Sequence, residues 1–215
     1  MPFLIESLIA TYPYVDHLTA QRNLARIRAT GQLESAATLM QRANRLDLLS
    51  VKRTGLTEID VDGNTVILRD QSPLHAGHIR FEGGWDFAQF IESLNRQVFF
   101  WPGKASGPIA YGERHFGRYS DERPPIVRIP LSDLLAANPG RVPLFCGYNS
   151  GSPRTTGGRK SPRGPNTFLP CEQFLHNHRK AIEVCFDESV VLPMEASEIK
   201  LASATKWRGL LTVDL

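Results

Sequence analysis

The chain has 215 residues, of which 41% are hydrophobic and 22% charged, a composition that supports one packed domain and excludes a disordered or fibrous chain. No apolar run reaches the roughly 20 residues a bilayer-spanning helix needs, and the opening MPFLIESLIATYPYVDH, with Glu6 and no basic start, does not read as a cleaved secretion signal. The formal charge is only +3, which by itself does not mark a nucleic-acid binder.

Apolar spacing predicts helices over residues 3–10 and 20–30, joined by the extended lead-in TYPYVDHL. In the second helix Ala20, Leu24 and Ile27 share a face, Thr19 is placed to cap the N-terminus, and Gly31 supplies the stop. His17 then stands where strand gives way to helix, beside backbone N–H groups of the kind that attract anionic or polar ligands. Residues 34–48 carry a third helical pattern, and TEIDVDGNTVILRD (57–70) a hairpin about Asp62-Gly63-Asn64. WDFAQFIESLNR (85–96) is an amphipathic helix running straight into the strand QVFFWPG. After a polar segment come the strand PPIVRIP, the helix LSDLLAAN and the strand RVPLFCG. Tyr148 to Pro170 is a Gly-, Pro-, Arg- and Ser-rich loop, and loops of such length in compact domains are functional or disordered. Beyond it we expect a helix near CEQFLHNHR, a strand in KAIEVCFD, and strands in SEIKLASAT and GLLTVDL. Short strands with interspersed helices and no internal repeat predict a single α+β domain over residues 1–215, with a split, largely antiparallel sheet and flanking helices.

Several chemistries are absent. Cys146, Cys171 and Cys185 are odd in number and contain no CxxC pair, which argues against a disulfide framework or structural zinc and for a reducing cytoplasm. His75 with His78, and His176 with His178, lack the further ligands a metal site requires, so no metal is expected. NSGSP (149–153) lacks the Lys-Ser/Thr ending of a P-loop, and no GxSxG elbow occurs.

Three features remain. The strand of residues 97–104 places Phe99 and Trp101 on one face and Phe100 on the other, either as a doubly buried core strand or as an aromatic wall for a planar ring, with Lys104 or Arg96 at the rim. Glu183 is a lone carboxylate in the middle of a strand, on a face shared with Ala181 and Cys185; it has a partner, faces a cavity, or lies on a solvated face. Finally, Arg154, Arg159, Lys160 and Arg163 concentrate the chain's positive excess in the acid-free stretch 151–164, which is either a solvated connector or a track for a phosphate backbone.

These pieces carry a resemblance. LRDQxPL (68–74) and LNxxVFFWP (94–102) are similar to motifs of a bacterial family of unassigned function, over most of the chain. More remotely, HxTxxxNLxxIxxxGxL (17–33), VFFWPGK (98–104) and KAIEVCF (180–186) resemble three motifs of the DarT-type ADP-ribosyltransferases. That resemblance implies an ADP-ribosyltransferase-like fold and NAD as co-substrate. It implies that His17 bonds the ribose or diphosphate, that Thr19 orients it, and that Phe99 and Trp101 wall the nicotinamide pocket. Glu183 becomes the catalytic glutamate. The arginine expected soon after the aromatic strand is missing; Lys104 is the nearest cation, and Arg69 or Arg96 could replace it. The same likeness implies a DNA acceptor, whose backbone the basic loop could track, and a toxin or phage-defence setting; RNA, protein and small-molecule acceptors stay open, and the lack of a long apolar run predicts no membrane partner. An NAD glycohydrolase and a non-catalytic nucleotide- or nucleic-acid-binding module are the alternatives.

Overall fold

The computed structural model describes residues 3–201 and 212–214. Helix α1 (Ile5–Thr11) leads into strand β1 (Tyr14–Leu18); after a 3-10 turn at residues 21–23 comes α2 (Leu24–Thr30), closed by Gly31 in the left-handed conformation. Strand β2 (Gln32–Glu34) and helix α3 (Ala36–Arg42) follow, the latter capped by Ser35, whose Oγ accepts the Thr38 N–H. The helical pattern expected over 34–48 breaks after Arg42, where Asn44 takes a positive φ of 54°, and resumes only as a 3-10 turn at 46–48. The hairpin forms as expected from β3 (Thr57–Val61) and β4 (Asn64–Leu68), because Asp62 and Gly63 both adopt the positive φ that such a two-residue turn requires.

Strand β5 (Ile79–Phe81) precedes α4 (Phe87–Asn95), which opens on a capping box between Asp86 and Gln89. It runs into β6 (Gln97–Lys104), the spine of the molecule. Then come β7 (Gly107–Pro108), α5 (Ala110–Gly117), β8 (Pro125–Pro130), α6 (Leu131–Ala137) and β9 (Leu144–Cys146). The stretch expected as a long loop contains β10 (Ser161–Arg163), paired parallel with β5, and β11 (Leu169–Pro170), paired antiparallel with β9. No α-helix forms at 171–179. The N–H groups of Gln173 and Phe174 turn back onto the Pro170 carbonyl, seating Phe174 in the core beside Phe3 and Phe145, and only a 3-10 turn at 178–180 follows. The chain finishes with β12 (Glu183–Asp187), β13 (Ser189–Val191), β14 (Glu198–Leu201) and β15 (Thr212–Asp214). Residues 202–205 and 209–211 of the two expected last strands, and Leu215, lie outside the described residues.

The domain mixes helices with largely antiparallel sheet. Its main sheet runs β11-β9-β12-β6-β1-β8-β14-β15, with β7 added to β6. Strict alternation divides its side chains. Val15, Phe100, Val127 and Val184 lie in one core with Leu8 of α1, Ile27 of α2 and Leu134 of α6. On the other face, Phe99 packs with Phe90 and Leu94 of α4, and Trp101 with Phe116 of α5 and with Leu18 and Ile126. That face also holds Asp16 and Arg128, 0% and 2% exposed, joined by Nε–Oδ1 and Nη2–Oδ2 bonds of 2.8 and 3.1 Å. The remaining Arg128 donors reach the carbonyls of Lys104 and Ala105, pinning the turn after β6 to β8.

The sheet parts at its centre. β6 pairs with β12 through Gln97–Phe100, but with β1 only through Trp101–Gly103. Beyond Asp16, β1 keeps pairing with β8 and leaves β6.

Candidate functional site

The gap between β1 and β6 is closed by a side chain rather than a backbone ladder. His17 Nδ1 donates to the Phe99 carbonyl at 2.9 Å. Burial holds the imidazole below its ordinary titration range, so it is neutral at neutral pH. With the proton on Nδ1, Nε2 is left as an acceptor.

A cleft of about 880 Å³ opens at this point, in the size range of small-molecule sites. His17, Thr19, Arg69, Phe99, Trp101 and Glu183 all border it, although they come from four separate stretches of chain. Seven arginines border it too, against three carboxylates (Glu34, Asp70 and Glu183), so its walls are strongly electropositive.

Glu183 begins β12 on the cleft-facing side and is 3% exposed. Its Oε1 accepts the Ser150 N–H at 3.1 Å, while Oε2 is buried without a partner. Burial pushes the carboxyl up to about 7, against the lowering effects of the Ser150 bonds and of the positive Arg163. Cys146, opposite it in the β12–β9 ladder, and Cys185 are buried thiols; burial first, and then the Glu183 charge, raise them well above the ordinary range. Such thiols are protonated at neutral pH and make poor nucleophiles.

Among the described residues, three buried side-chain atoms lack a hydrogen-bond partner: Glu183 Oε2, Arg69 Nε and Gln97 Oε1. All three side chains border this cleft. Buried polar groups are paired almost everywhere in folded proteins, so an unpaired carboxylate oxygen, guanidinium donor and amide acceptor in one cavity are the complement of a ligand rich in hydroxyls and anionic oxygens.

Four expected roles need correction. Thr19 caps no helix: its hydroxyl accepts from Asn23 Nδ2 at 3.3 Å and its backbone N–H donates to Pro125, because the ladder with β8 continues one residue past β1. The expected helix N-terminus beside His17 is a 3-10 turn, and α2 is only seven residues long. Lys104 is exposed and does not border the cleft, since three residues of strand carry it roughly 10 Å past Trp101 into the turn before β7. Arg163 is no phosphate-facing loop cation; it is 1% exposed. Its guanidinium donates to the carbonyls of Asn149, Ser150 and Pro162 and to the Ser161 hydroxyl, and lies 4.1 Å from the Tyr148 ring. Arg163 thus holds the segment whose Ser150 N–H binds Glu183. The other three loop cations, Arg154, Arg159 and Lys160, are exposed, and Arg154 reaches the cleft rim.

Replacing Arg163 with Met takes this donor from three carbonyls, the buried Ser150 and the half-buried Asn149 and Pro162. We expect a loss of roughly 2–4 kcal/mol, read by calorimetry; an unchanged melting temperature would reject the scaffolding role.

Sequence reasoning missed α5. Gly112 lets this helix press onto β6, since a Cβ there would come within 2.9 Å of both Pro108 and Trp101. The helix brings His115 and the following Tyr119 to the cleft, with Trp101–His115 and His115–Tyr119 ring centroids each 5.5 Å apart. The spacing of Gly112, Phe116 and Tyr119 was its only local signal. Asn23 was missed as well: its amide exchanges two 2.9 Å bonds with the Ile67 backbone and so docks the hairpin over the cleft.

A family model matches residues 13–200. The chain belongs to a family of unknown function, DUF7002. Every residue bordering the cleft falls inside the stretch that defines the family. No curated protein and no solved structure matches the chain.

Proposed function

We propose that this protein is an ADP-ribosyltransferase, built on a fold of that type, that takes NAD into the cleft between β1 and β6. The observation that carries the reading is Glu183: a carboxylate with one oxygen fixed by Ser150 and the other unpaired, at the floor of an electropositive cavity. In the reaction the nicotinamide–ribose C–N bond breaks and its electron pair leaves with neutral nicotinamide, so no general acid is needed. Positive charge grows on the ribose as an oxocarbenium-like transition state, as in glycoside hydrolysis. Glu183 Oε2 accepts the ribose 2′-hydroxyl and stabilises that charge. His17 Nε2 accepts a second ribose hydroxyl, and Phe99 and Trp101 border the nicotinamide. The acceptor then attacks C1′ and loses a proton.

The basic stretch that reaches the rim at Arg154 supports a nucleic-acid acceptor, since the exposure of Arg154, Arg159 and Lys160 suits sequence-independent phosphate contacts. Changing all three to Ser is expected to weaken nucleic-acid binding and flatten its salt dependence while sparing NAD binding. Equal binding across a salt titration would reduce this stretch to a solvated connector.

The deciding experiment incubates the protein with labelled NAD alone and with DNA, RNA or cell protein. Label on a macromolecule identifies the acceptor, and free ADP-ribose alone marks an NAD glycohydrolase. Absence of NAD binding overturns the proposal.

A further inference from the structure

We propose that the α5 end of the cleft is a phosphate subsite, formed by Arg69, Arg114 and Arg118 and shaped for a diphosphate. Arg69 is fixed in place: its guanidinium lies 3.9 Å over the Tyr119 ring, and Nη2 is held by Glu122 at 2.8 Å. Its Nε, by contrast, is buried and unpaired at the cleft. A guanidinium locked by stacking and an ion pair, with its buried Nε–H unpaired, is preorganised to receive an oxyanion.

The charges around it set the ligand class. Two acids sit here: Glu122, bound to Arg69, and Asp70, which bonds Tyr119 and lies close to Arg69 and Arg53. Arg114 and Arg118 border the same end of the cleft, and among the described residues neither has an ion-pair partner. Two uncompensated guanidiniums suit a dianion better than a single carboxylate. Burial first, and then the charges of Arg69 and Arg118, push His115, between Trp101 and Tyr119, down to about 4. It is therefore neutral at neutral pH and offers one N–H without adding charge.

This subsite deepens the NAD reading and rests on it for what the phosphates are attached to, because a nucleic-acid phosphate has the same chemistry. It also supplies cations in the place of the arginine missing after the aromatic strand.

The test is calorimetric binding of inorganic pyrophosphate, ADP, adenosine and a short single-stranded oligonucleotide. The proteins are the wild type, Arg69→Met, Arg118→Gln, and Arg28→Gln as a control at an exposed arginine that does not border the cleft. Pyrophosphate and ADP are expected to bind the wild type far better than adenosine does. Arg69→Met and Arg118→Gln should each lose roughly 10- to 100-fold in affinity for both, with Arg28→Gln unchanged. If Arg69→Met fails to fold, the exposed Arg118 carries the test. Arg69- or Arg118-dependent binding of the oligonucleotide alone supports the subsite and assigns it to the acceptor. Pyrophosphate binding that is absent in the wild type along with oligonucleotide binding, or indifferent to these substitutions, overturns it. The transferase reading fails separately, by absence of nicotinamide release while pyrophosphate still binds.

Discussion

Glu183→Gln is expected to lower nicotinamide release from NAD by about 100- to 1,000-fold while changing NAD affinity only a few-fold. The substitution keeps the shape and the acceptor oxygen that Ser150 engages, and removes the charge that acts on a cation present only in the transition state. His17→Ala should do the reverse, weakening NAD binding more than turnover, since its proposed bond exists in the ground state. Wild-type turnover in the Glu183→Gln variant would show that the acid lies elsewhere.

The same residue gives a second readout. Its folded carboxyl titrates at about 7 and its ordinary value is 4.5, so between these values the native state holds a proton that the unfolded chain has released. Its stabilising contribution is complete below pH 4.5 and is lost as pH rises through 7. Unfolding free energies of wild type and Glu183→Gln should therefore diverge across that window, to about 3 kcal/mol in favour of Gln at pH 8. Parallel profiles would mean that Glu183 is not held protonated. By the same linkage, turnover in the wild type should climb with pH through about 7, where the carboxylate forms.

Arg128→Met is expected to cost about 3–5 kcal/mol of stability, because it takes the bidentate guanidinium away from Asp16, a carboxylate at 0% exposure, and frees the carbonyls of Lys104 and Ala105. The pair itself contributes far less than that, since burying two charges offsets most of their attraction. An Asp16→Leu/Arg128→Met double variant should therefore recover much of the loss in urea unfolding. A single-variant cost under about 1 kcal/mol would show that the Asp16 carboxylate is compensated without Arg128.

Much of this molecule was fixed by local pattern. The Asp62-Gly63 turn, the stop at Gly31 and the alternation along β6 and β12 depend on backbone conformations and periodicities that a short stretch specifies alone. The placement of Glu183 on the same sheet face as Phe99 and Trp101 also grew from that alternation, once the two strands were neighbours. What the stretch could not specify was pairing. Arg163 and Arg159 stand four residues apart in the same Gly- and Ser-rich run, yet one is buried under four hydrogen bonds and the other is solvated, because only β10 pairs with β5. Thr19 lost its expected capping role because β1 extends its ladder with β8. Helix α5 stayed hidden because its anchors, Gly112 and Phe116, acquire meaning only against Trp101 on a different element. Sequence determined which segments are strands and turns; long-range pairing decided which charges face the cleft, because the energy of burying a guanidinium or a carboxylate depends on partners far away in the chain.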